Sequence, residues 1–488
     1  MTLTEDVRSL IADTIAIADE RHAEMLRELE GRLDEPLRLA IAGRVKAGKS
    51  TLLNALVGEA VAPTDAAECT KVVTWYVNGL TYRAWLHPVS GAGEARQVPF
   101  SREPGNAHID IGETDLDKIE HLRVEFPSQY LDGIDLIDTP GTASISESVS
   151  ERSLDFLLEP DHSEVDIVVY LMRHLHDRDV DFLEAFVGEA DRIRPTMAVG
   201  VLSRADEIGG GRSDAMEIAR QAAEASADDP RLRDRVQTVI PVAGLLAFTA
   251  ATLREEEFQQ LRRIALRPIE EIDVALASVD AFIEGSTISD ATVAERRSLV
   301  ERLGLHGIRF SVGSIIHGTT TSASELARGL EAHSGLDELR LLVRGLYAER
   351  RAVLKADLAL NLIEEVARAA PRDAARPIDA GVERIRATTH ELGELDALYR
   401  LRVDPPADLA VDLRRQAERL LGAAGADTRA RLDLDLNHSD EELRAYALEL
   451  LSGWRSIADR PLVSRELRML VPTVEITLER LYSELATA

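Results

Sequence analysis

The chain has 488 residues, 45% of them apolar and 29% charged, with 86 acidic against 57 basic side chains and a net charge of −29. Such a length and balance fit two to four ordinary globular domains, and the negative charge argues against nucleic-acid binding, because phosphate backbones need clustered cations. The single cysteine, Cys69, excludes a disulfide scaffold and a multi-cysteine zinc site.

No run of 18 apolar residues and no basic-apolar leader is visible, so a cytoplasmic protein without a membrane span is expected. Only five basic residues are lysine (Lys46, Lys49, Lys71, Lys118 and Lys355) and the other 52 are arginine. Residues 1–335 carry a net charge of about −24 and residues 336–488 carry −5. The acidic excess reads as a solvated surface.

In chain order, Val7, Leu10, Ile11, Ile15, Ala18, Leu26, Leu29 and Leu33 recur near a 3.6 period and predict one amphipathic helix over residues 4–33, closed by Pro36. LRLAIAGRVKAGKSTLLNAL then changes from apolar strand to glycine loop to helix. Further strands are expected at Ile134–Asp138, in SEVDIVVYL and in TMAVGVLS, with helices between them, which implies a mostly parallel α/β sheet. From Leu336 onward only helices are expected, at 336–370, 378–402, 407–422, 440–456 and 462–486. Ser439 and Glu442 form a capping box for the fourth of these, and Pro472 should kink or delay the fifth.

Gly43–Arg–Val–Lys46–Ala47–Gly48–Lys49–Ser50 fits G-x-x-x-x-G-K-[ST] between a predicted strand and a predicted helix, the context a phosphate loop requires. Its backbone N–H groups and the helix N-terminus would cradle phosphates, with Thr51 following on the helix. Lys49 would reach the β- and γ-phosphates and Ser50 would ligate Mg²⁺. Asp138–Thr–Pro–Gly141 ends the next apolar strand; the carboxylate of Asp138 can hold Mg²⁺ through water, and Gly141 can offer its N–H to the γ-phosphate. Ser203–Arg204–Ala205–Asp206 looks like the guanine-reading [NT]-K-x-D motif, whose aspartate accepts from guanine N1–H and the amino group, a donor pair adenine lacks. Ser203 and Arg204 depart from that pattern. Val242, Ala243 and Gly244, in IPVAG, resemble a base-backing loop, a weak signal by itself. A threonine between the phosphate loop and D-x-P-G should close over Mg²⁺ and the attacking water. Thr70 is the first choice, with Thr74 and Thr64 as rivals. GTP and Mg²⁺ are thus the expected substrate and cofactor.

GRVKAGKSTLLNALVGE, APTDAAECTKVVTW, DTPGT and SRADEIGGGR together resemble the bacterial dynamin-like GTPases, and among them the short actinobacterial members. The specific motifs lie within about residues 37–245. The resemblance implies a GTPase head on a helical stalk, head-to-head dimerisation driven by nucleotide, and membrane remodelling at the inner face of the cell membrane, as a homodimer or with another dynamin-like protein. It also implies that the usual catalytic glutamine is absent, and Thr142 stands in its place. In the family's phosphate loop the position of Lys46 helps hold a potassium or sodium ion; here the lysine ammonium could take that ion's place, or the side chain could point into solvent.

Gly335–Leu–Asp–Glu–Leu–Arg340 resembles the start of the helix that normally follows the base-backing loop. The expected organisation is therefore a stalk helix at 1–35, a GTPase domain at 36–350 with a helical insertion at about 245–335, and a helical stalk at 351–488. The N-terminal helix should pack against the later helices. One alternative function is a slow, GTP-switched scaffold that partners a longer membrane-anchored dynamin-like protein. An RNA-binding assembly GTPase is disfavoured by the charge. His174–Leu–His176–Asp177 suggests either a metal site or, more simply, a loop after a strand. Residues 307–318 suggest either a membrane-dipping stretch or a buried helix.

Overall fold

The computed structural model describes residues 2–62, 72–89, 93–103, 106–112, 114–115, 118–140, 165–187, 197–288, 291–423, 425–434, 438–460 and 462–487. Two helices, α1 (Leu3–Ile15) and α2 (Glu20–Arg32), open the chain where the apolar stripe predicts one. The break is local: Asp19 accepts from His22 N and starts a fresh helix.

The head follows as β1 (Leu37–Gly43), α3 (Lys49–Val57), β2 (Val73–Asn78), β3 (Arg83–Pro88), β4 (Arg96–Val98), the hairpin β5 (Phe100–Glu103) and β6 (Asn106–Ile109), β7 (Ile119–Phe126), β8 (Ile134–Asp138), β9 (Ile167–Met172), α4 (Asp177–Val187), β10 (Ala198–Ser203), α5 (Ala215–Ala227) and β11 (Val239–Val242). Among the described residues nine strands form one sheet in the order β11-β10-β9-β1-β8-β2-β7-β3-β4. The run from β11 to β8 is parallel throughout, as the α/β expectation requires. β2 and β7 are parallel to each other but antiparallel to β8, and β3 and β4 complete an antiparallel edge.

Central strands buried on both faces read as continuous apolar runs. Alternation along them divides the core. Ala40, Ala42, Val168 and Tyr170 face one cluster, and Leu39, Ile41, Val169 and Leu171 face the other.

The first cluster is completed by helices of the insertion: α6 (Gly244–Ala251), α7 (Glu255–Ala265), α8 (Ile269–Ala275), α9 (Val279–Glu284), α10 (Val293–Ile316) and α11 (Ala323–His333). Leu246, Phe258, Leu261, Phe282, Leu303 and Leu330 pack there, so these helices share the head's core. Residues 307–316 belong to α10, with Ile308 and Val312 buried, which supports the buried-helix alternative over the membrane-dipping one. Among the described residues no helix is long and apolar enough to cross a membrane.

α12 (Leu336–Leu342) returns to the second cluster. It passes through a π turn at Val343–Ala348 into α13 (Arg351–Ala369), so the helix predicted over 336–370 is interrupted. The helix predicted over 378–402 is two, α14 (Arg372–Thr388) and α15 (His390–Val403). Pro371 caps α14 at a position where a missing N–H does no harm. α16 (Val411–Leu420), α17 (Thr428–Leu432), α18 (Asp440–Ala458) and α19 (Arg465–Thr487) follow. The Ser439–Glu442 capping box is present, and α19 continues through Pro472.

The helical part packs as two clusters. Val7, Leu10, Ile11 and Leu26 of α1 and α2 pack with Leu360 and Ile363 of α13 and with Ile378 and Val382 of α14. The remaining cluster is built from α15 to α19. Where the first cluster meets the base of the sheet, Asp166 accepts from Arg32 Nη2 at 2.7 Å and from Arg38 N at 2.9 Å. Lys355 Nζ lies 3.9 Å from the same carboxylate and donates to Arg32 O at 2.6 Å. All three ionic side chains are buried, which ties α2, β9 and α13 together.

Candidate active site

β1 delivers the chain to Gly43 at the carboxyl edge of the sheet. A Cβ there would stand 2.6 Å from Leu171 O, and φ is +145°, so only glycine lets β1 turn away beside β9. The loop then closes on itself: Lys49 Nζ donates to Gly43 O at 3.1 Å and to Arg44 O at 3.4 Å. Burial lowers the Lys49 pKa and nearby Asp138 opposes that shift. Lys46 sits at the loop's apex, exposed, with a left-handed backbone (φ 64°).

Ser50 Oγ donates to Asp138 Oδ2 at 3.0 Å, which joins the start of α3 to the end of β8. Asp138 is pushed up to about 6 by burial, against the pull of Lys49 and the Ser50 hydrogen bond. Its other oxygen, Oδ1, is shut off from solvent and has no hydrogen-bond partner among the described residues. Thr139 is buried and donates to Ile41 O at 3.0 Å, which fixes the strand end.

A cleft of about 580 Å³, open to solvent, runs from the phosphate loop toward β10 and β11. Of the residues expected from sequence, Ala47, Gly48, Thr51, Ser203, Arg204, Asp206, Val242 and Gly244 line it together. Gly43, Lys49, Ser50 and Asp138 adjoin its phosphate-loop end through the bonds above.

Ala243 does not line the cleft. It is fully buried behind the wall, and its N–H donates to Ser334 O at 2.8 Å. Asp206 is 6% exposed and is pushed up to about 6, chiefly by burial. Ser203 Oγ donates to Met172 O, and Arg204 pairs with Glu207 at 2.9 Å.

Leu171, Val201, Glu207 and Leu245 also line the cleft, although sequence reasoning had not singled them out. Leu171 and Val201 sit in the runs already read as strands, and that position is the signal that could have found them.

Thr74 lies in β2, in register with Asp138, and its buried hydroxyl donates to Val72 O at 3.2 Å. Thr70, its rival Thr64 and Gly141 lie outside the described residues. The His174–Asp177 segment is a loop after β9 that leads into α4, with His176 N donating to Asp179. No group of three or more metal-binding side chains occurs among the described residues.

The sequence pattern of the dynamin family matches residues 39–202. Over 472 residues the chain is 37% identical to isoniazid-induced protein IniC of Mycobacterium tuberculosis, an overlap of 95% of this chain and 94% of that protein. The chain belongs to the dynamin family. It is also 29% identical over 273 residues to isoniazid-induced protein IniA of the same organism, covering 51% of this chain and 38% of that one. A solved structure of an oligomerised bacterial dynamin pair overlaps all of this chain and 75% of its own, at 13% identity and a TM-score of 0.32.

Dynamin-family heads bind GTP, generally with Mg²⁺, and the residues present suit that ion. A buried carboxylate oxygen with no partner among the described residues stands beside a serine hydroxyl at the mouth of a phosphate loop. Hard oxygen donors of this kind suit Mg²⁺, which keeps several waters when bound. Ser50 and Asp138 would hold it, the latter through water.

Proposed function

We propose that this protein binds and hydrolyses GTP as a dynamin-like GTPase, dimerises through its head in a nucleotide-dependent way, and acts peripherally at the inner face of the cell membrane. The observation that carries the nucleotide choice is the position of Asp206. Its buried carboxylate lines the same cleft as the phosphate loop, at the far end from Lys49. A carboxylate there accepts from two guanine donors, and adenine cannot supply the pair.

In this reading Gly43, Lys46, Ala47, Gly48 and Thr51 surround the phosphates, and Lys49 neutralises charge at the β,γ-bridge. Ser50, Asp138 and Thr70 hold Mg²⁺, which supplies charge neutralisation at the phosphates when bound. Thr70 also orients the attacking water, Gly141 donates its N–H to the γ-phosphate, and Ser203, Arg204, Val242 and Gly244 frame the base, with Ala243 backing that wall from behind. Oriented donors of this kind act most strongly where water is excluded.

Asp206→Asn tests the assignment, because it turns part of an acceptor into a donor. Preference should move from guanosine to xanthosine nucleotides in calorimetric titrations, and equal wild-type affinity for GTP and ATP would sink the reading. Liposome co-sedimentation of the chain alone, with and without GTP, then separates direct membrane action from a scaffold that needs a longer dynamin-like partner.

A further inference from the structure

After Asp206 the chain runs through Gly209, Gly210 and Gly211, all with positive φ (63°, 74° and 72°). Three successive glycines carry the largest backbone entropy a segment can have, so the short 3-10 turns over Ala205–Gly210, interrupted at Ile208 and Gly209, gain from support outside the run. The side chains that might have braced the base loop are engaged elsewhere, Ser203 on Met172 O and Arg204 on Glu207. What meets the run is α10, from the insertion.

His306 Nδ1 lies 2.6 Å from Arg212 O, and a carbonyl can only accept, so Nδ1 carries the proton and donates. His306 Nε2 is then an acceptor, 3.0 Å from His333 Nε2, which donates to it; the ring pair is stacked and continues onto Phe310. One turn further, Arg309 donates to Gly211 O and to Leu276 O.

α10 also bends at Gly304 (φ 63°, ψ 175°), a conformation almost confined to glycine. A Cβ at that point would stand 3.4 Å from Asp206 Oδ2, an ordinary contact distance, so the bend rather than a lack of space requires glycine, and the bend brings α10 against the carboxylate. The same helix braces the opposite wall of the base end, since Thr249 of α6 donates to Arg302 O and Leu246 packs against Gly307.

We propose that the helical insertion is what positions Asp206 for guanine: α10 turns at Gly304 beside its carboxylate, and His306 and Arg309 pin the glycine run that follows it. His306 and Arg309 are positioning residues that act through the backbone of Arg212 and Gly211. The proposal rests on the guanine reading above.

The test compares GDP with inosine diphosphate, which lacks the 2-amino group and so loses one of the two donors to Asp206. Titrations on the full chain should give the wild type a preference for GDP on the order of tenfold or more, as a good bidentate pair provides. His306→Ala should weaken GDP binding on the order of tenfold and bring the GDP-to-IDP ratio toward one. His306→Asn, whose amide N–H stands close to where Nδ1–H stood, should restore most of that ratio.

The loss should fall on affinity and base preference far more than on the turnover rate at saturating GTP, a split that general destabilisation would not give. If His306→Ala does not fold, Arg309→Leu removes the neighbouring anchor from a half-buried position and should show the same collapse. A wild type indifferent between GTP and ATP would overturn the guanine reading and this proposal with it. A guanine-selective wild type whose folded His306 or Arg309 variants keep the full GDP-to-IDP ratio would overturn this proposal alone.

Discussion

Asp166→Asn should be among the most damaging single-atom changes in the protein, although the residue is far from the cleft. The carboxylate, only 4% exposed, is flanked by Arg32 at 2.7 Å and Lys355 at 3.9 Å, with side-chain exposures of 8% and 4%. Asparagine keeps the volume but offers one acceptor oxygen where the carboxylate offers two, so the charge is removed and either Arg32 Nη2 or Arg38 N is left facing an NH2 group. Arg32, which keeps a longer pairing with Glu28 at 3.5 Å, and Lys355 then remain buried with their nearest counter-charge gone, a change that costs up to about 3–5 kcal/mol. Against a typical stability of about 5–15 kcal/mol, that is a large fraction.

Urea unfolding followed by circular dichroism and by fluorescence of Trp75, whose ring lies 4.8 Å from the Arg38 guanidinium, would measure it. The sign of the pH effect is also fixed. Burial lowers the Lys355 pKa to about 8 while Asp166 raises it. The folded state thus binds fewer protons than the unfolded chain between pH 8 and 10.5, so stability rises with pH in that window. Without Asp166 the lysine sheds its proton earlier, and the variant's deficit should narrow between pH 7 and 9. Replacing all three side chains together, with Arg32→Met, Asp166→Leu and Lys355→Met, should recover most of the loss. An unchanged unfolding midpoint, or a deficit equal at pH 7 and pH 9, would refute the buried-charge argument.

Lys49→Ala should abolish nucleotide binding or turnover, whereas Thr70→Ala should bind GTP and fail to hydrolyse it; unchanged hydrolysis in the latter would move the role to Thr74 or Thr64. If the Lys46 ammonium stands in for a monovalent cation, hydrolysis by the wild type should be nearly indifferent to replacing K⁺ by a large organic cation. Lys46→Ser should then slow the reaction and make it K⁺-dependent, and strong K⁺ activation of the wild type would contradict the idea. Asp206 and Asp138 both sit near pKa 6 through burial and must be ionised to bind base and metal, so GDP·Mg²⁺ affinity should hold above pH 6 and fall about tenfold or more per unit below it. In the nucleotide-free chain these raised pKa values have the opposite effect on stability, which should fall as pH rises from about 4 to about 6; a flat affinity profile from pH 7 to 5 would count against both assignments.

The parts of the site visible in the sequence are those whose chemistry is local. Gly43 to Ser50 lie within one strand–loop–helix step, and Asp138 and Asp206 follow apolar strands buried on both faces. β7 escaped because its pattern is of another kind: it alternates buried and half-exposed residues along IEHLRVEF, with charged side chains on the outer face. The single predicted N-terminal helix failed because an apolar stripe can continue in phase across a break that Asp19 caps. Ala243 fits its motif but turns its N–H to Ser334, a residue 91 positions later that no local pattern could supply. Gly304 was visible only as a glycine within a helical pattern, since the Asp206 carboxylate beside which it bends the helix is 98 residues earlier.

The π turn at Val343–Ala348 constrains how this chain could be shortened or grafted. A π turn is an α-helix holding one residue more than its hydrogen bonds need, and deleting one residue would let Leu336–Ala348 close into continuous α-helix, with the break at Arg350 (φ −99°, ψ 13°) remaining. Local helicity would gain from the deletion. Each residue of an α-helix, however, corresponds to about 100° of rotation and 1.5 Å of rise. Everything after the turn would be re-phased, and Lys355 would swing about a quarter-turn away from Asp166 and from the Arg32 carbonyl. The extra residue acts as a phase setting between the sheet-bearing part and the helices that follow it. Chimeras that join this head to another dynamin's helices should therefore be cut after Lys355 rather than at the tempting gap between Ala348 and Arg351.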